Sequence, residues 1–120
     1  MYIESFKQLI VWQKSMQLVK EIYMTTSALP REEIYGLVSQ MRRSAVSIPS
    51  NIAEGKKRKT AKDFLHFLRI ADGSAAELET QIIIAKDLYP QIDFFVVLSL
   101  LEEVQKMLIT IIKKLEASKN

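Results

Sequence analysis

A run of basic residues at positions 56–59, KKRK, is the feature of this sequence with the most evident chemistry. Positions 42–62 hold seven basic residues against one acid, Glu54, whereas the rest of the chain has a net charge of −3. Such a local excess of positive charge is typical of a surface that binds an anionic partner, often nucleic acid. The candidate phosphate-binding residues are Arg42, Arg43, Lys56, Lys57, Arg58, Lys59, Lys62 and Arg69. The alternative interpretation is a solvated loop that keeps the protein soluble.

The remaining polar residues give little support to an enzyme. The chain has one histidine, His66, and no cysteine. A di-iron bundle requires two Glu-x-x-His motifs, and a Ser-His-acid triad would depend on His66, to which no motif points. Asp63 and Arg69 lie three residues to either side of His66, which favours a surface hydrogen bond for this histidine. We therefore predict a non-enzymatic protein that needs no metal and no cofactor.

Length and composition indicate one ordinary globular domain. The chain has 120 residues, of which 48% are hydrophobic and 26% charged, and we expect a single domain over residues 1–120. The absence of cysteine excludes disulfides and fits a reducing compartment. The N-terminus does not resemble a signal peptide, and the longest apolar run, 94–101, is far shorter than the ~20 residues of a membrane span. We expect a soluble cytoplasmic protein without a membrane partner.

Apolar residues recur every three or four positions through most of the chain, which is the pattern of amphipathic helices. We predict a first helix over roughly residues 9–26 and a fourth over residues 91–117. The apolar stripe of the first comprises Leu9, Trp12, Met16, Val19 and Tyr23. The stripe of the fourth comprises Phe94, Val97, Leu101, Val104, Leu108, Ile111 and Leu115.

Pro49 lies inside the pattern of the second helix, which begins after Pro30. The stripe comprises Ile34, Leu37, Met41, Ala45, Ile48 and Ile52. An interior proline costs about 3 kcal/mol relative to alanine, yet the stripe continues beyond it. We therefore predict that this helix bends at Pro49 and continues to Glu54, with Gly55 just after its end at positive φ. The alternative is a helix that ends at Ile48, followed by a loop over residues 50–55.

The third helix has a clear start, because Thr60 and Asp63 have the spacing of a capping box. Its first apolar stripe comprises Ala61, Phe64, Leu68, Ala71, Ala75, Leu78, Ile82 and Ala85. A second, partly polar stripe runs beside the first, and a surface helix needs only one. The central helix of a monomer would explain two stripes, and so would a subunit interface, for which the candidates are Phe67, Ile70, Ser74, Glu77, Gln81 and Ile84. We expect Glu77 to have a basic or amide partner, and Gly73 to permit close approach of another helix.

Four helices with short connections pack best as an antiparallel up-and-down bundle. We therefore predict an all-α four-helix bundle whose second helix is kinked at Pro49. The apolar surplus on the third and fourth helices further predicts that the protein is not a monomer.

Three long blocks of the sequence resemble one protein family. They are VWQKSMQLVKEIY at 11–23, YGLVSQMRRSAVSIPSNIAEGKKR at 35–58 and DFLHFLRIADGSAAELETQI at 63–82. Together with the apolar last helix, they resemble the four-helix-bundle proteins encoded by intervening sequences of bacterial 23S ribosomal RNA. That family includes the accessory variability determinant of diversity-generating retroelements. The resemblance implies a homopentameric barrel and, for the retroelement branch, a basic surface that binds nucleic acid and a reverse transcriptase.

Two functions follow from these observations. The first is a homo-oligomer, five-fold by the resemblance, that binds RNA or DNA through the basic residues. The second is a protein–protein scaffold, for example an accessory subunit of a reverse transcriptase, in which the basic loop serves solubility or steering.

Overall fold

The computed structural model describes residues 5–118, and within this range every regular element is helical. The four long helices are α1 (Ile10–Thr26), α2 (Ser39–Lys57), α3 (Ala61–Leu88) and α4 (Phe95–Ala117). Short 3₁₀ turns occupy Phe6–Gln8 and Arg31–Glu33, and a π-helical segment, Ile34–Val38, leads into α2. None of these helices is long and apolar enough to cross a membrane.

The helices form an up-and-down bundle of about 48 × 24 × 22 Å, as predicted. α1 and α3 each pack against both α2 and α4. Contacts between distant residues fix the antiparallel directions: Arg69 near the start of α3 pairs with Glu116 at the end of α4. Midway along the bundle, the hydroxyls of Ser47 on α2 and Ser74 on α3 are hydrogen-bonded at 2.8 Å.

The core comes from one apolar stripe per helix, and for α3 it is the predicted first stripe from Leu68 onward. Ala61 is exposed and Phe64 half-buried, whereas Leu65, which is outside the predicted stripe, is buried. The fully buried large side chains are Leu18, Ile22, Met41, Ile48, Ile52, Leu65, Leu68, Leu78, Ile82, Val97, Leu101 and Leu108.

The predicted stripe of α1 was wrong by one position. Its buried residues are Val11, Ser15, Leu18, Ile22 and Thr26, whereas Tyr23 is exposed. Two of the buried residues are polar, so hydrophobicity alone does not identify this face. Ser15 Oγ donates to the carbonyl of Trp12 at 2.8 Å and Thr26 Oγ1 to that of Ile22 at 2.6 Å, so both hydroxyls are satisfied within the helix.

The start of α2 also differs from the prediction, because the helix is interrupted at Gly36. This glycine has φ −111° and ψ −112°, which is a non-helical conformation. Ile34, expected in the buried stripe, is therefore exposed, whereas Leu37 is buried. Oε1 of Glu33 accepts a hydrogen bond from the Leu37 amide at 3.2 Å and stabilises the interruption.

Pro49 lies within a continuous α2, with Ile48 and Ile52 both fully buried. This confirms that the helix continues past the proline and excludes the loop alternative; the bend itself stays a prediction. The helix ends at Lys57, however, and no residue between 5 and 118 has positive φ. The prediction of Gly55 as a terminating residue was therefore wrong, and Arg58, in extended conformation, follows the helix instead.

The fourth helix begins at Phe95 rather than at Gln91. Oδ1 of Asp93 accepts a hydrogen bond from the Phe95 amide at 2.8 Å, which stabilises the chain just before the first turn. Phe94 has a non-helical conformation and packs into the core. Phe94, the first residue of the predicted stripe, is thus buried although it precedes the helix.

Candidate nucleic-acid interface

The turn between α2 and α3 presents the basic run, and Gly55 explains why this turn is so tight. A Cβ atom on Gly55 would lie 2.7 Å from the Cβ of Phe67 and 3.3 Å from the carbonyl oxygen of Phe64. Only glycine therefore allows the end of α2 to approach α3 this closely. Thr60 Oγ1 accepts a hydrogen bond from the Asp63 amide at 3.1 Å, which confirms Thr60 as the N-cap of α3.

Two of the basic side chains at this turn lie against phenylalanine rings of α3. The ammonium group of Lys56 is 5.7 Å from the centroid of the Phe64 ring, and the guanidinium group of Arg58 is 4.9 Å from that of Phe67. Arg58 also pairs with Glu54 at 2.8 Å. These contacts restrict both side chains, but they leave the positive charge at the surface.

Three lysines at the same turn are exposed and uncompensated. Lys57, Lys59 and Lys62 form no ion pair with any carboxylate of residues 5–118. An unpaired surface ammonium group is free to replace a condensed counterion on a phosphate backbone. These lysines are therefore the strongest candidates among the predicted binding residues.

The antiparallel fold brings further cations to this end of the bundle. Lys113 and Lys114 lie in the last turns of α4, which is tied to the start of α3 by the ion pair between Arg69 and Glu116. Both lysines are exposed. We call this region the basic end, defined by Lys56, Lys57, Arg58, Lys59, Lys62, Lys113 and Lys114. A lysine pair near the end of the last helix of an up-and-down bundle was the sequence signal that the local charge count missed.

The structure does not bring all predicted binding residues together. Arg42 and Arg43 are fourteen and thirteen residues before Lys56 on α2, which places them about 20 Å away along the helix axis. Arg42 connects α2 to α1: its Nε donates to Thr26 Oγ1 at 3.1 Å, and its guanidinium group lies 4.5 Å from the ring centroid of Tyr23. Arg69 belongs to the basic end by position, but its charge is paired with Glu116.

The predicted subunit interface on α3 is only partly exposed. Ser74 is 6% exposed and bonded to Ser47 of its own chain, so a bulky replacement there would disturb the packing of α2 before any subunit contact. Ile70 and Ile84 are exposed by 39% and 43%, whereas Phe67 and Gln81 are half-buried.

Two polar side chains of this stripe lack partners among the described residues. Glu77 is exposed and has no ion pair or hydrogen bond with the part of the chain that is described, so a partner from another subunit stays a prediction. Oε1 of Gln81 is buried and likewise accepts no hydrogen bond within that part. An unpaired buried carbonyl oxygen is unfavourable in an isolated subunit.

His66 is exposed and lies edge-to-face against Phe67, with 5.3 Å between the ring centroids. The predicted hydrogen bond to Asp63 or Arg69 is not formed, and Arg69 pairs with Glu116 instead. Within residues 5–118 no three histidine or acidic side chains are grouped so as to hold a metal ion.

Comparisons with known proteins agree with this architecture. One solved structure, a protein of unknown function from the S23 ribosomal protein family of Bacteroides thetaiotaomicron, matches with a TM-score of 0.76 and 26% sequence identity. The match covers 87% of this chain and 99% of the other. No curated protein matches. The family model for the 23S rRNA-intervening sequence protein matches residues 7–110, and the chain therefore belongs to the family of 23S rRNA-intervening sequence proteins.

Proposed function

We propose that this protein is a non-enzymatic homo-oligomer that binds nucleic acid, with RNA as the first choice, through its basic end. The observation that carries the proposal is the group of exposed ammonium groups of Lys57, Lys59 and Lys62 at the turn between α2 and α3, which have no ion pair within residues 5–118. The charge of Lys113 and Lys114 adds to it from α4.

The recognition supported by this surface is electrostatic. Lysines bind phosphates as point charges and release counterions, which provides affinity without reading the sequence. Among the aromatic rings near the turn, those of Phe64 and Phe67 already lie against Lys56 and Arg58, and the ring of His66 packs edge-to-face against Phe67. The basic end is therefore suited to contact a backbone and not to stack on bases.

Self-association would strengthen such binding. The exposed Ile70 and Ile84 and the unpaired Gln81 carbonyl leave an incomplete face on α3, which suits an interface with a second copy. The family resemblance makes five copies the first choice. Several basic ends on one particle would bind one long strand with higher avidity than a single end.

A salt titration of RNA binding tests the proposal. The test variant replaces Lys57, Lys59 and Lys62 by glutamine. The control replaces Lys20, Lys86 and Lys106 by glutamine, which removes the same formal charge from exposed positions outside the basic end; of these, Lys106 is ion-paired with Glu102. For single-stranded RNA each lost phosphate contact lowers the slope of log K against log salt by about 0.7, so we expect a decrease of about 2 per chain in the test variant. The proposal fails if the wild type does not bind at low salt, or if both variants lose affinity equally.

A protein partner is the second candidate, and exposed apolar side chains at the other end of the bundle favour it. Met24, near the end of α1, is 68% exposed, and Phe95, at the start of α4, is 72% exposed. A pull-down from a nuclease-treated lysate separates the two candidates. Recovery of an acidic protein, and its loss when residues 56–59 are neutralised, would favour a scaffold such as an accessory subunit over RNA binding.

A further inference from the structure

A second cationic feature lies at the end of the bundle opposite the basic end. The last turn of α1, residues 31–38 and the first turns of α2 surround an open cleft of about 930 Å³, within the usual 300–1,000 Å³ of small-molecule sites. Three arginines line it, Arg31, Arg42 and Arg43, and no acidic residue does.

The charges of these arginines are not compensated. None of the three forms an ion pair within residues 5–118. Arg42 is also fixed in position, since its Nη2 donates to the carbonyl of Tyr23 at 3.2 Å and to Ser27 Oγ at 3.4 Å. Its Nη1 has no partner among the described residues and is free to donate. A guanidinium group held by neutral acceptors, with one edge free, is prepared to bind a phosphate.

An unpacked aromatic ring completes the cleft. Tyr35 is 96% exposed, the largest exposed fraction among the large hydrophobic and aromatic residues of the described chain. It precedes Gly36, whose non-helical conformation interrupts the helix. Arginines beside an exposed aromatic ring are the combination with which proteins hold single-stranded nucleic acid, the ring stacking on a base and the cations binding phosphates.

We infer that this cleft binds a nucleoside phosphate, either free or as one unit of a single strand. Tyr35 stacks on the base, and the Nη1 edge of Arg42 binds the phosphate together with Arg43. This inference deepens the proposed function and rests on it, because the cleft adds base contacts to the phosphate contacts of the basic end.

The test compares Tyr35→Ala with Phe95→Ala, which removes another exposed ring at the same end of the bundle but outside the cleft. The probes are a labelled RNA oligonucleotide of about 12 nucleotides, within the usual site sizes, and adenosine monophosphate. Loss of one base stack should weaken oligonucleotide binding by about 5- to 150-fold with an unchanged salt slope. Arg43→Gln should instead lower that slope by about 0.7, and Phe95→Ala should have no effect.

The outcomes separate this inference from the proposed function. If Tyr35→Ala binds like wild type while the triple-lysine variant is weakened, the cleft proposal is overturned and the basic end stands. If wild type binds no oligonucleotide, the basic end fails. The cleft proposal then survives only if adenosine monophosphate binds and Tyr35→Ala abolishes that binding.

A competition experiment identifies the source of the nucleotide. Displacement of the oligonucleotide by adenosine monophosphate indicates a free nucleotide, and failure to displace it indicates a strand. A smaller particle in Tyr35→Ala would place Tyr35 in a subunit interface and overturn the inference.

Discussion

The hydroxyl of Tyr89 donates a hydrogen bond of 2.6 Å to Oε2 of Glu33, which connects the end of α3 to the segment before α2. The other carboxylate oxygen accepts from the Leu37 amide. The bond from Tyr89, followed by that from Leu37, holds the pKa of Glu33 below its usual range, and the pKa of Tyr89 is raised chiefly by the same bond. This connection supports the residues that present Tyr35 to the cleft.

Tyr89→Phe should return the pKa of Glu33 part of the way to its usual value, because the substitution removes the hydrogen bond that lowers this pKa most. A lowered pKa in the folded state means that these bonds stabilise the protein above the unfolded pKa and lose this effect as the pH falls through the folded pKa. The raised pKa of Tyr89 acts at the alkaline end of the pH range. Its contribution to stability is fully present below the usual tyrosine pKa of about 10 and is lost as the pH rises through the raised pKa of the folded state. Carboxyl-carbon NMR checks this, and an unchanged titration of Glu33 in Tyr89→Phe would refute it.

Gly55→Ala should destabilise the fold, because the new methyl group would meet the Cβ of Phe67 at 2.7 Å. We expect a decrease in the free energy of unfolding of about 1–3 kcal/mol, the usual cost of overpacking. Gly73→Ala is the matched control, since no atom lies within 4 Å of that position and alanine is favoured in a helix by about 1 kcal/mol.

Chemical denaturation of the two glycine variants gives both free energies. Equal stabilisation in both would show that Gly55 does not determine the approach of α2 to α3. Because the space beside Gly73 is open within one chain, a Gly73→Ala variant that is stable but assembles poorly would indicate that another subunit approaches there.

Ile84→Asn should reduce self-association, whereas Ile83→Asn should not. Both side chains are about half exposed, 43% and 51%, and adjacent on α3, but only Ile84 belongs to the second stripe. Because successive residues of a helix point about 100° apart, the pair tests the position of the interface and not overall hydrophobicity. Light scattering measures the mass. A wild-type mass of 13.8 kDa at micromolar concentration, the mass of one chain, would exclude the oligomer.

Pro49→Ala should stabilise a single subunit by about 1 kcal/mol. Alanine is favoured over proline by about 3 kcal/mol inside a helix, and the loss of two buried methylene groups offsets about 1.6 kcal/mol of this. If the proline bends α2 and the bend shapes the assembly, light scattering should show a smaller particle in spite of the higher stability. A less stable variant would contradict the prediction.

Patterns along the chain were sufficient to predict the four helices and most of the core. Helical periodicity located all four helices, the spacing of Thr60 and Asp63 identified the cap of α3, and Ile48 and Ile52 correctly indicated a helix that continues past Pro49. These features depend on residues close in sequence, so local rules capture them. The charge count likewise located the basic run, because its members are neighbours along the chain.

The roles of residues that are distant in sequence depend on how the helices pack together. The folded bundle uses Gly55 for a close helix approach and not for a helix end, connects Arg42 to Thr26 on α1, and brings Lys113 and Lys114 to the basic end. Each of these depends on which helix lies opposite, and packing of side chains across the bundle determines that. The sequence records only separations along the chain, whereas electrostatics and steric contact act through space.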